Sequence, residues 1–338
     1  MAYASGERPL ARSRLRGSGN QPRRAPCTAP RLLLTQQRGH RHIEADARIP
    51  GEGSHASVGS PRERMCRMPR CALVLYPAIR AGKGAEVTAL DGVDAKLGRA
   101  LEHLLSLDDQ MHEYLDSNPI GVQRQLQQDA KTSVFALVIE RSPPLELAVL
   151  AGEVVHQLRS ALDHLANQLV RAAGNTPTRR TAFPVLLRPP DQVLKIDGGV
   201  DPSALDAVAS LQPHLRGLEP EGHPLAILNE LWNRDKHRNL SLMATYVTGT
   251  QIFLVDPEGQ WMVGGQFQTT PLGHGDIVGV FGFADGDVPT DAIVQASGSL
   301  FLTLAEEGPW GRQPVTNLLE SLHQFVTVTV VPKLKPFC

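Results

Sequence analysis

The sequence LELAVLAGEVVHQLRSALDHLANQLVRAA, residues 145–173, is the stretch around which the rest of the chain is arranged. It contains no proline, and its one glycine is Gly152. Its apolar residues recur at alternating spacings of three and four, which is typical of an amphipathic helix. They are Val155, Leu158, Leu162, Leu165 and Leu169. The polar residues fall within one half of the helical wheel. They are His156, Arg159, Ser160, Asp163, His164, Asn167 and Arg171.

A second stretch, PLAILNELWNRDKHRNLSL at residues 224–242, has the same character. Asn229, Asn233, Lys236 and His237 fall on one face of the predicted helix. Two helices with polar faces rich in His, Arg and Asn therefore form the candidate site of the chain.

The rest of the pattern predicts an α+β fold. Helices are expected at 94–115, 203–211 and 315–325, and a strand at 133–139. After residue 242 the period changes to that of strands, at 244–255, 260–268, 276–283 and 291–304, while 326–331 fits a strand or a continued helix. We therefore expect a helical bundle over 90–242, followed over 243–331 by a small antiparallel sheet with a C-terminal helix.

Residues 1–72 form an Arg-rich leader with fourteen Arg, no Lys and five acidic residues. Its Arg, Pro, Gly and Ser content predicts disorder, because such a segment buries little apolar surface. It is interpreted either as a basic arm for nucleic acid or as translated upstream DNA. The second interpretation is favoured, with an internal start at Met65 or Met68.

Composition excludes several classes of protein. The net charge is −1, which gives no overall attraction to nucleic acid or an anionic membrane. No run of about 18 apolar residues predicts a membrane span. Three cysteines lie in the leader and Cys338 is the last residue, which favours a reducing cytoplasm and no disulfide-linked partner. HExxH, paired CxxC, Walker and GxGxxG motifs are absent, so no cofactor and no metal are predicted.

The polar helices suit metal-free RNA cleavage. Arg159 offers a bidentate fork for phosphate, and His164 suits proton transfer because the histidine pKa lies near neutrality. Lys236, His237 and Arg238 add phosphate contacts or an acid. The supporting polar residues are His156, Asp163 and Asn233.

Two other interpretations stay open for the same residues. Arg159 and Asp163 have the i, i+4 spacing of a helical ion pair, and Asp235 and Arg238 have i, i+3 spacing. The polar stripe is then a buried hydrogen-bond network that joins two helices. A metal site is the third interpretation, with ligands from His156, Asp163, His164 and His237.

Four ordered motifs carry a family resemblance. They are GEVVHQLRSALDHLANQLV (152–170), FPV (183–185), LQPH (211–214) and LNELWNRDKHRNL (228–240). Together they resemble a bacterial protein family, common in actinobacteria, that has no established activity. The resemblance covers about residues 90–240 and leaves the leader outside.

A looser resemblance is to HEPN helical domains of prokaryotic toxins and defence ribonucleases. Their hallmark is an Arg followed, after four to six residues, by a His, and Arg159 and His164 match it with four residues between them. Ser160 stands where the commoner residue is Asn. The resemblance implies a homodimeric, metal-independent endoribonuclease or RNA-binding protein in the cytoplasm. The alternative function is a non-catalytic interaction module whose polar stripe is structural.

Overall fold

The computed structural model describes residues 41–48, 89–117, 119–126, 132–191, 194–255, 261–264, 272–282 and 293–338. The helices are α1 (Asp91–Asp116), α2 (Leu145–Ala172), α3 (Pro202–Ala209), α4 (Pro224–His237), α5 (Val315–Phe325) and α6 (Val331–Leu334). The strands are β1 (Arg41–Arg48), β2 (Ile120–Leu126), β3 (Thr132–Ile139), β4 (Leu242–Val255), β5 (Trp261–Gly264), β6 (Ile277–Gly282) and β7 (Ile293–Leu304). The predicted α+β class is confirmed.

Helix α2 is the centre of the helical layer because its apolar stripe is buried along its whole length. Val155, Leu158, Leu162 and Leu165 are each at most 1% exposed. Pro144 precedes the helix, and Gly174 follows it with a φ of 76°, a left-handed conformation that glycine adopts without strain. The predicted span of 145–173 is thus confirmed to within one residue.

Helix α1 packs against α2 in the opposite direction. Its first turn lies beside the second half of α2, where Gly92 contacts His164. Near its other end, the Tyr114 hydroxyl donates to the carbonyl of Arg141, which lies just before α2 begins. Burial raises the pKa of Tyr114 to about 12, and the nearby Arg141 acts in the opposite direction. Helix α5 covers α1 from another side, since His323 Nε2 donates to the Leu97 carbonyl at 3.1 Å.

The strands form two antiparallel sheets rather than one. The first has the order β1–β7–β4–β5, and the second has the order β2–β3–β6. The strand predicted at 133–139 is confirmed as β3, whereas β2 was not predicted. Because β3 pairs with β6, the second sheet joins the predicted helical region to the predicted β-rich region.

Residues 326–331, for which the sequence left a strand or a continued helix open, are helical. Residues Val326–Val330 form a π-helical turn that leads into α6. Val326, Val330 and Leu334 are buried at a spacing of four, which suits a helical face and not the alternation of a strand. The helical interpretation is therefore confirmed.

Part of the Arg-rich leader is described. Residues 41–48 form β1, which pairs antiparallel with β7 from Arg41 opposite Leu300 to Arg48 opposite Ile293. The remaining residues of the leader, with Met65 and Met68, lie outside the described residues. None of the described helices is long and apolar enough to cross a membrane. Cys338 is a free thiol, and Cys27, Cys66 and Cys71 lie outside the described residues.

Candidate functional site

Arg159 and Asp163 hold the backbone of Phe183 between them. Arg159 Nη2 donates to the Phe183 carbonyl at 2.9 Å, and the Phe183 N–H donates to Asp163 Oδ1 at the same distance. The two side chains are one helical turn apart on α2 and pair with each other at 3.0 Å. Both polar groups of one peptide residue are thereby satisfied, which allows the Phe183 ring to be buried. We call this arrangement the Phe183 clamp.

Gln212 fixes the next residues of the same segment. Its Oε1 accepts from the Leu186 N–H at 2.9 Å, and its Nε2 donates to the carbonyls of Pro184 and Val208, each at 3.1 Å. The His214 N–H donates to the Leu186 carbonyl at 3.1 Å. The sequence motifs at 159–163, 183–185 and 211–214 therefore meet in one hydrogen-bonded assembly.

The rest of the Arg159 guanidinium lies against Trp232 of α4. Its Cζ is 5.2 Å from the centroid of the indole, and Lys236 Nζ is 3.2 Å from the centroid of the same ring system. Arg159 is only 6% exposed, and its Nε and Nη1 find no hydrogen-bond partner among the described residues. Burial lowers the pKa of this guanidinium, and the Asp163 carboxylate acts in the opposite direction.

Asp235 makes the second close contact between α4 and α2. A Cβ placed on Gly152 would clash with Asp235 Oδ1, so the glycine is what lets the carboxylate approach α2. Burial raises the pKa of Asp235, and Glu153 acts in the same direction. His156 and the N–H of Leu240 oppose both of them. Asp235 thus lies over the second turn of α2 and does not pair with Arg238 there.

His164 faces a different part of the fold from Arg159. It is half-buried against α1, where a Cβ on Gly92 would lie 2.9 Å from its Nδ1. Five residues along a helix correspond to a rotation of about 140°. The structure therefore places the Arg and the His of the HEPN pattern against different neighbours, Arg159 toward α4 and Phe183 and His164 toward α1.

The remaining predicted site residues lie at the surface. Those that are exposed are His156, Asn233, Lys236, His237 and Arg238, whereas Asp163 is half-buried within the Phe183 clamp. Among the described residues, no group of three or more His, Cys, Asp or Glu side chains is arranged to hold a metal ion. A cavity of about 250 Å³ lies elsewhere, between residues 143–148 and residues 239–242.

Three important residues were missed by the sequence analysis. Trp232 contacts Arg159, Gln212 binds the segment that follows Phe183, and Gly152 leaves room for Asp235. Trp232 and Lys236 have the i, i+4 spacing of contacting helical residues, which gave a signal. Gln212 lies in the LQPH motif, but its partners could not be read from the sequence because they are backbone groups, two of them in a distant segment.

Comparison with known proteins adds no family to this picture. No protein-family model, no curated protein and no solved structure matches the chain.

Proposed function

We propose that the chain is a non-catalytic interaction module whose polar α2 and α4 residues hold its own parts together. The observation that carries this proposal is the Phe183 clamp, in which Arg159 Nη2 binds a backbone carbonyl and a carboxylate inside the fold and the whole guanidinium is buried. A phosphate-binding arginine needs donors that a ligand can reach. The described contacts of Arg159 are with Asp163, Phe183 and Trp232, all within the chain.

The separation of Arg159 and His164 supports the same proposal. A general base must lie within hydrogen-bond reach of the proton that it takes, close to the group that binds the phosphate. With His164 against α1 and Arg159 against α4, the two side chains serve two different packing interfaces.

The test is cleavage of labelled mixed-sequence RNA in EDTA by the full chain, by Arg159→Ala and by His164→Ala, with a melting curve for each. We expect no cleavage by any of them. We expect Arg159→Ala to melt about 5 °C or more below wild type, because it leaves the Phe183 carbonyl without its donor and the Asp163 carboxylate without its counter-charge. Cleavage that disappears in both variants at an unchanged melting temperature would contradict the proposal.

A second candidate function is a HEPN-like RNA-binding protein or ribonuclease that acts as a cytoplasmic homodimer. One observation favours it: the exposed side chains Lys236, His237 and Arg238 are consecutive at the end of α4. The exposed His156 lies near them, since it lowers the pKa of the neighbouring Asp235. Such a surface suits phosphate groups, whose binding weakens with salt.

This candidate function is tested by measuring how much labelled RNA the protein binds at a low and at a high salt concentration. The double variant Lys236→Glu/Arg238→Glu should lose the binding if these residues contact phosphate, and Lys333→Glu, an exposed lysine of α6, serves as the control. Sedimentation of the same proteins measures whether they are dimers. If the double variant and the control retain equal amounts of RNA, then RNA does not bind at this surface.

A further inference from the structure

His223 caps α4 through a nitrogen that has to be unprotonated. The residue lies directly before Pro224, and its Nδ1 accepts the Leu225 N–H at 3.2 Å. The imidazole packs against Phe325 of α5 in a T-shaped arrangement, with ring centroids 5.4 Å apart and planes at 86°. One side chain therefore both caps the start of α4 and joins α4 to α5.

A proton on His223 opposes the cap in two ways. Protonated Nδ1 carries a hydrogen, so it can no longer accept the Leu225 N–H. The added positive charge lies at the N-terminus of a helix, where the helix dipole disfavours cations. The first turn of α4 contains no acidic residue that would offset this charge.

The surroundings of His223 add to this effect. Arg216, on the 3₁₀ turn Pro213–Arg216, is the charged group that acts on the imidazole, and it is held nearby by donating Nη1 to the Gly222 carbonyl. Helix α5 presents the uncharged Phe325 ring. Burial first, and Arg216 second, lower the pKa of His223 below its ordinary value. The neutral form is thus the one that this packing selects.

We propose that protonation of His223 removes the cap from the first turn of α4, which makes the junction of α4 with α5 a pH-sensitive latch. The consequence extends along the helix, because α4 also carries Trp232 and Asp235, whose contacts with Arg159 and Gly152 hold it on α2. Mild acidification loosens the attachment of α4 and leaves the Phe183–Asp163 hydrogen bond, which involves no residue of α4, in place.

Hydrogen exchange of the full chain at about pH 7.5 and about pH 5.5, on either side of the ordinary histidine pKa, tests the latch. After correction for intrinsic exchange, peptides covering Leu225–Ile227 should lose about five-fold in protection at the lower pH, the effect of losing one helix cap. His223→Asn should be protected equally at both values, because an Asn oxygen caps a helix without titrating in this range.

His237→Asn is the matched control, since it removes an exposed histidine from the other end of the same helix. It should keep the wild-type response to pH. The latch is wrong if His223→Asn responds to pH as wild type does, or if wild type shows no change in these peptides. A pH response confined to α1 and α5 would place the titrating group at His323, whose pKa burial also lowers.

Discussion

Arg159 and Lys236 contact the same Trp232 ring, yet one is buried and the other is exposed. Arg159 enters the fold because a carboxylate one turn away and a carbonyl from another segment both meet its Nη2. The Lys236 ammonium stays at the surface over the ring face. Burial of a cation here therefore follows from the acceptors that the fold brings to it, and not from its charge alone.

The same contrast holds for the four exposed residues from Lys236 to Asn239, which follow Asp235 at the end of α4. Asp235 itself is drawn inward because Gly152 leaves room for it. Within one polar run of the sequence, Asp235 therefore contacts α2, where Gly152 has no Cβ, and the residues after it form an exposed surface.

Removal of Asp163 is expected to have the largest effect on this contrast. In Asp163→Ala the Arg159 guanidinium stays buried without its carboxylate, and the Phe183 N–H loses its acceptor. We expect the free energy of unfolding to fall by about 2–3 kcal/mol, measured by urea denaturation. Asp163→Asn, which keeps an acceptor for Phe183, should fall between this variant and wild type.

Asp206→Ala, at an exposed position of α3, is the control for that variant. It should change the free energy of unfolding by less than about 0.5 kcal/mol. Equal effects of Asp163→Ala and Asp206→Ala would mean that the Phe183 clamp does not stabilise the fold.

Gly152→Ala should give an intermediate effect whose sign depends on Asp235. The new Cβ would clash with Asp235 Oδ1, so the carboxylate must move away from α2. Overpacking costs about 1–3 kcal/mol, and the higher helix propensity of alanine offsets about 1 kcal/mol of it. In an Asp235→Ala background the clash is absent, and the same substitution should stabilise the protein by about 0.5–1 kcal/mol.

A double-mutant cycle with urea unfolding measures this reversal of sign. Gly152→Ala could also change the free energy of unfolding equally with and without the Asp235 carboxylate. The close approach of Asp235 would then not be the reason for a glycine at position 152.

Truncation of the exposed cations should have the smallest effect. Arg238→Ala is expected to change the free energy of unfolding by no more than about 0.5 kcal/mol, and Lys236→Ala by no more than about 1 kcal/mol from its contact with Trp232. Urea denaturation beside Arg159→Ala, which removes the same charge, checks this directly. A large loss in Arg238→Ala would assign that residue to the internal network.

Local pattern predicted the elements whose burial follows a single period. Helix α2 and helix α5 have continuous apolar stripes and are bounded by Pro144 and Pro314. Strand β3 is dense in apolar residues that favour strands. Strand β2 was missed because Gln123, Arg124 and Gln125 interrupt its apolar residues, and its position follows from pairing with β3.

Of the candidate site, only the contacts between side chains of the same helix could be predicted from the sequence. The i, i+4 pair Arg159–Asp163 follows from spacing alone, and the structure confirms that contact. The other contacts of the assembly are to backbone carbonyls: Arg159 binds that of Phe183, and the Gln212 carboxamide binds that of Pro184. Every residue carries such a carbonyl. Sequence spacing therefore could not show which segment α2 would hold.

The hydrogen bond from His323 to the Leu97 carbonyl joins residues 226 positions apart. During synthesis at about 5–20 residues per second, α1 emerges between about 11 and 45 s before the helix that covers it. Its apolar side is shielded by α2 early, but the part that faces α5 stays uncovered throughout that interval. The nascent chain thus passes through a partly assembled helical layer, and the last helices complete the protection of the first.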